Sequence, residues 1–101
     1  MEEILLELLL IVNLQKKAFS MVEVLITNVR TETFSNKILK ILVDKFPSLK
    51  FNFDLEDFNE PYPCGHSVLR VEGNLIKINS IIKIVKSYNI ECQLLEDRIC
   101  S

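Results

Sequence analysis

Cys64, Gly65 and His66 form the one place in the chain where two soft metal ligands stand close. A thiolate and an imidazole two residues apart can share one ion, although a structural zinc site takes four ligands. The other two cysteines are Cys92, on the apolar side of an expected strand where a thiol serves as a small hydrophobe, and Cys100, close to the chain end. Cys64 and His66 are therefore the metal candidates. The plainer reading is a loop in which Gly65 supplies the turn and His66 is exposed. Asp54, Glu56, Asp57 and Glu60 make an acidic group, but Asp54 and Glu56 fall on the outward face of a strand and no calcium-loop spacing surrounds them. A Cys64/His66 nucleophile lacks a third group to orient the base and has no evident oxyanion donors. With only Gly65 and Gly73 as glycines, no phosphate-cradling loop can be built. The sequence thus points away from an enzyme and from a resident cofactor.

A chain of 101 residues makes one domain with a single core. Nearly half of the residues are apolar and about a quarter are charged, ordinary globular usage, and the net charge of -2 offers no basic footprint for nucleic acid or an anionic membrane. Three cysteines at irregular spacing argue against a disulfide framework and for a reducing compartment, hence the cytoplasm. Residues 4–14, ILLELLLIVNL, are strongly apolar. They fall short of the ~20 residues that span a bilayer, and Glu2 and Glu3 stand where a signal peptide needs basic residues.

The elements that must position these side chains follow from two periodicities. Residues 1–20 read as an apolar helical extension, with Met21 as an alternative functional start, residues 21–97 as the domain, and 98–101 as a loose tail. VEVLITNV, residues 22–29, is a β-branched strand with apolar side chains on both faces, hence central; Val22, Val24 and Ile26 share one of them. Thr31 can cap a helix that carries Phe34, Ile38, Ile41, Leu42 and Phe46 and stops before Pro47. In residues 49–56, Leu49, Phe51, Phe53 and Leu55 alternate with Lys50, Asn52, Asp54 and Glu56, a strand buried on one face. Residues 67–72 repeat the pattern more weakly with Leu69 and Val71. A second helix carries Ile78, Ile81, Ile82 and Val85, Asn89 closes it in a left-handed cap, and residues 90–95 return to strand, with Ile90, Cys92 and Leu94 on one side.

The order is strand, helix, strand, strand, helix, strand. Leu55, Glu56 and Asp57 recur as Leu95, Glu96 and Asp97, and the same offset superposes Ile38 on Ile78 and Leu42 on Ile82. The expected architecture is α+β: a ferredoxin-like βαββαβ fold, a four-stranded antiparallel sheet with both helices on one face. The inward set predicted from the strands is Val24, Ile26, Phe51, Phe53, Leu69, Val71, Cys92 and Leu94.

NFDLED (Asn52 to Asp57) and LRVEGN (Leu69 to Asn74), preceded by a helix ending in Phe46-Pro47, resemble small bacterial proteins related to the heavy-metal-associated, copper-chaperone-like domain. The resemblance covers about residues 21–97. It implies a soft-metal site made by two cysteines in the loop after the first strand, but here that loop, residues 27–33, reads TNVRTET and holds no thiol. The resemblance therefore implies the scaffold without its metal site. The expected function is a small non-catalytic interaction or regulatory module, docking a protein partner or a second copy through a sheet edge. The alternative is a copper or zinc binder that uses Cys64 and His66.

Overall fold

The computed structural model describes residues 20–55 and 59–100. The expected helical extension, and with it Glu56 and Asp57 of the acidic group, lies outside the described residues. Within them, β1 (Met21–Thr27), α1 (Glu32–Lys45), β2 (Lys50–Asp54), β3 (Ser67–Gly73), α2 (Ile78–Lys86) and β4 (Cys92–Leu94) follow one another, and a 3-10 turn, Leu95–Asp97, ends the regular structure. The strands form one antiparallel sheet in the order β2-β3-β1-β4. This is an α+β architecture, consistent with the ferredoxin-like expectation.

Local chemistry explains the element ends. The Oγ1 of Thr31 accepts a hydrogen bond from the N–H of Phe34 at 3.3 Å, Glu32 and Lys45 complement the dipole of α1, and the N–H of Phe46 donates to the carbonyl of Leu42 at 2.8 Å just before Pro47. Beyond α2, Asn89 adopts a φ of 62°, the left-handed conformation that asparagine tolerates better than most residues. The cap by Thr31 is as its residue type predicts, whereas α2 is capped at Ser87 in the right-handed conformation and Asn89 takes up its left-handed one two residues beyond.

The core corrects the expected face of β1. Leu25 lies directly across from Leu69 on β3 and from Leu94 on β4, while Thr27 lies across from Ser67 and Cys92. Residues opposite one another in a ladder share a face, so Leu25 points inward with Leu69, Val71, Cys92 and Leu94. These side chains, except the peripheral Leu94, join Ile38 and Leu42 of α1 and Ile81 and Val85 of α2 in the buried cluster. Val22, Val24 and Ile26 occupy the other face, opposite Glu72, Arg70 and Val68. The expectation of Val24 and Ile26 facing the helices is therefore overturned. Because β1 is apolar on both sides, its composition cannot choose between two registers, and only its pairing with β3 and β4 does.

Two smaller corrections follow. β4 is confined to residues 92–94, with Ile90 buried ahead of it and the 3-10 turn behind. The fully buried helix positions are 38 and 42 against 81 and 85, so the apparent forty-residue echo does not superpose the two helices' inner faces. The connection between β2 and β3, residues 55–66, is longer than a tight hairpin and carries the chemistry described next.

Candidate functional site

Cys64 and Cys100 are joined by a disulfide, with Cα atoms 5.4 Å apart, 36 residues apart in sequence. The expectation that the cysteines stay reduced and the tail hangs loose is thereby corrected, and the cysteine argument for a reducing compartment goes with it. β4 runs antiparallel to β1, from Cys92 opposite Thr27 to Leu94 opposite Leu25, and so heads toward Met21, whereas Ser67, just after Cys64, lies opposite Thr27 at the C-terminal end of β1. The chain beyond β4 must therefore double back to reach Cys64. Only this reversal brings Cys100 to the loop, which is why spacing alone could not pair the two.

The loop is wound tightly enough to put a carboxylate beside the sulfurs. Gly65 donates its N–H to the carbonyl of Pro61 at 3.0 Å, and a Cβ on Gly65 would collide with the carbonyl oxygen of Glu60. This close approach requires glycine. As a result a Glu60 carboxylate oxygen and the sulfurs of Cys64 and Cys100 lie within 4.8 Å of one another. His66 is not part of that group. Its Nδ1 sits 3.2 Å from the carbonyl of Pro63 and 3.1 Å from that of Cys64, so it carries the proton and donates to the loop backbone. The predicted pairing of Cys64 with His66 is thus replaced by one of Cys64 with Cys100 and Glu60. Asp54, by contrast, is an exposed residue of β2.

Residues 27–33, where the resembling domains would hold metal, are closed by their own hydrogen bonds. The hydroxyls of Thr27 and Ser67 are hydrogen-bonded to each other, Val29 donates its N–H to Thr27 Oγ1 at 3.2 Å, and Glu91 donates its N–H to Asn28 Oδ1 at 3.0 Å. Thr27 and Val29 are buried, and Thr31 is committed to its cap.

A cleft of about 420 Å³ opens at the end of α2 and the start of β4, lined by Tyr62, Lys86, Asn89, Ile90, Glu91, Cys92 and Gln93. Tyr62, which sequence reasoning did not single out, donates its hydroxyl to the carbonyl of Ile26 at 3.4 Å. Burial pushes the Cys92 thiol up to about 12, against a smaller opposing effect of Lys86. The Tyr62 phenol also rises to about 12, by burial first and then through Cys92 and Glu91. Both groups are neutral when protonated, so the folded chain holds protons that the unfolded chain releases from ordinary values of 9.0 and 10.0. Stability is then fully present below pH ~9 and falls as pH rises toward ~12, with a slope approaching about 1.4 kcal/mol per pH unit from the buried Cys92 thiol and a smaller, solvent-screened part from the more exposed Tyr62. Urea unfolding of the oxidised chain between pH 8 and pH 11 should show this decline, and Cys92→Ala should flatten it, most of all between pH 9 and pH 10. An unchanged slope in that variant would remove the buried thiol as the cause.

Among the described residues, no helix is long and apolar enough to cross a membrane. In comparisons with protein-family models, with curated proteins and with solved structures, nothing matches this chain.

Proposed function

We propose that this chain is a small non-catalytic interaction module on a ferredoxin-like, heavy-metal-associated type of scaffold, and that it docks a second copy of itself through the edge of β2. The element order and the strand order support that scaffold. The closed loop at residues 27–33 supports a function other than metal transfer at that point, because the hydroxyls of Thr27 and Thr31 and the amide of Asn28 are engaged within the domain.

The observation that carries the reading is the self-complementarity of β2. This strand pairs with β3 alone among the described residues, which leaves its other side as a row of backbone donors and acceptors. Its sequence is KFNFD. Two copies set antiparallel about Asn52 would place Lys50 across from Asp54 of the second copy, Phe51 across from Phe53, and Asn52 across from Asn52. Lys50, Asn52 and Asp54 are exposed and the two phenylalanines half-buried, so every pair has surface to give. Opposite charges and aromatic pairs across a ladder each contribute about 0.2–1 kcal/mol. By symmetry each unlike pair occurs twice, which makes a modest but specific dimer.

Sedimentation equilibrium across a concentration series tests this with a charge swap. Lys50→Asp and Asp54→Lys, each alone, set like charges across the junction and should weaken association about tenfold, while the double variant K50D/D54K should restore it. Hydrogen exchange should show concentration-dependent protection confined to β2. A chain that stays monomeric, or a double variant as weak as either single one, would overturn the reading.

A further inference from the structure

We infer that Cys64, Cys100 and Glu60 form a second functional site: a dithiol that, once reduced, binds a single zinc-class cation, with disulfide and metal as mutually exclusive occupants of the same place. This goes beyond the docking role of β2 and does not depend on it. Three donors of the right chemistry converge here from two separate segments, the β2–β3 connection and the chain end, within 4.8 Å of one another. Gly65 permits the turn that holds Glu60 against Cys64.

The physical case is one of charge. Two thiolates beside a carboxylate concentrate three negative charges in a few ångströms, an arrangement that repels itself unless something neutralises it. Oxidation is one solution, since a disulfide carries no charge. Protonation of the two thiols is another, and a divalent cation that displaces those protons is a third, which alone uses all three donors at once. Two sulfurs and one oxygen suit zinc, which accepts thiolate and carboxylate ligands in a tetrahedron and leaves the fourth position to water or to a donor from a partner. The geometry asks little of the backbone. With Zn–S bonds of about 2.3 Å, the sulfurs need only separate by about 1.7 Å from their bonded distance. The Cα atoms, 5.4 Å apart, already bring both cysteines within reach of a common ion.

The interconversion balances. A dithiol reductant attacks one sulfur of the disulfide and forms a mixed disulfide, then closes on itself and leaves as its own disulfide. Two electrons and two protons thus pass to Cys64 and Cys100. Zinc then displaces the two thiol protons to solvent and takes the Glu60 carboxylate as its third ligand. Exposure of Glu60 and Cys100 gives both reductant and ion access from solvent. His66, whose Nδ1 is turned onto the carbonyls of Pro63 and Cys64, stays outside the ligand set.

The full chain, reduced with dithiothreitol and freed of it without air, is titrated with cobalt(II) as the spectroscopic probe and then with zinc. The expected result is a thiolate-to-cobalt charge-transfer band with intense tetrahedral d–d bands, saturating at one equivalent and bleached by zinc. The oxidised chain shows neither. Zinc should also raise the melting temperature of the reduced chain and leave that of the oxidised chain unchanged, a comparison that needs no substitution. Cys64→Ala and Cys100→Ala should each abolish the bands, Glu60→Gln should weaken binding by about tenfold or more, and His66→Asn and Cys92→Ala should leave it within about twofold. Reduced protein without a stoichiometric band would overturn the inference. So would a band that survives Cys100→Ala and is lost in His66→Asn, which would assign the ion to Cys64 and His66 instead.

Discussion

Reducing the Cys64–Cys100 bond in the full chain, with no metal added, should lower its melting temperature by more than ten degrees. The bond closes a loop that contains β3, α2 and β4. For a closed loop of this length, constraint of the unfolded chain contributes up to about 4 kcal/mol. In a domain of this size each kcal/mol moves the midpoint by roughly 4–8 °C, so the effect is a large part of the stability that a single small core supplies. Ile99, beside Cys100, is 87 % exposed and adds no apolar anchor there. Thermal melts of oxidised and reduced protein, with the redox state checked by intact mass, measure the difference directly. A shift of only a degree or two would mean that the tail is tied without constraining the domain, and that the role of the two cysteines lies in the reduced state alone.

The second large effect separates two neighbouring residues of β1. Leu25→Asp should abolish folding, whereas Val24→Asp should lower stability by about 1 kcal/mol and leave the fold intact. Leu25 is fully buried in the cluster shared by both helices, and an unpaired carboxylate there costs more than a marginal domain can supply. Val24 is only half-buried, points to the opposite face, and lies directly across from Arg70, which gives an introduced aspartate an oppositely charged neighbour. Far-UV circular dichroism and urea unfolding of the two variants decide the matter. The reverse outcome would restore Val24 and Ile26 to the helix-facing side and shift the pairing of β1 by one residue.

These two experiments fall on features that differ in how far local sequence could reveal them. In β2, Phe51 and Phe53 alternate with Lys50, Asn52 and Asp54, so a single apolar face forces one orientation, and the phenylalanines do pack against the core. For α1, the hydroxyl of Thr31, the spacing of Ile38 and Leu42 and the stop at Pro47 act within a few residues of one another, and these local terms suffice to place the helix. Asn89 is legible for the same reason, since the left-handed conformation is a property of one residue.

Tertiary structure alone decided the rest. β1 carries apolar side chains on both faces, so its burial preference is nearly symmetric, and the choice of Leu25 as the inward residue came from its partners Leu69 and Leu94, far away in the chain. The partner of Cys64 was hidden for a related reason. Its neighbour in sequence, His66, turns Nδ1 back onto the loop's own carbonyls, while Cys100 arrives only because the chain reverses after β4. Glu60 joins them through the contact that Gly65 permits, a packing event with no periodicity to announce it. Sequence by itself determined which segments are strands and helices, because those preferences are local. The juxtaposition of two cysteines and a carboxylate was decided by the folded chain, because it depends on where separate segments end in space.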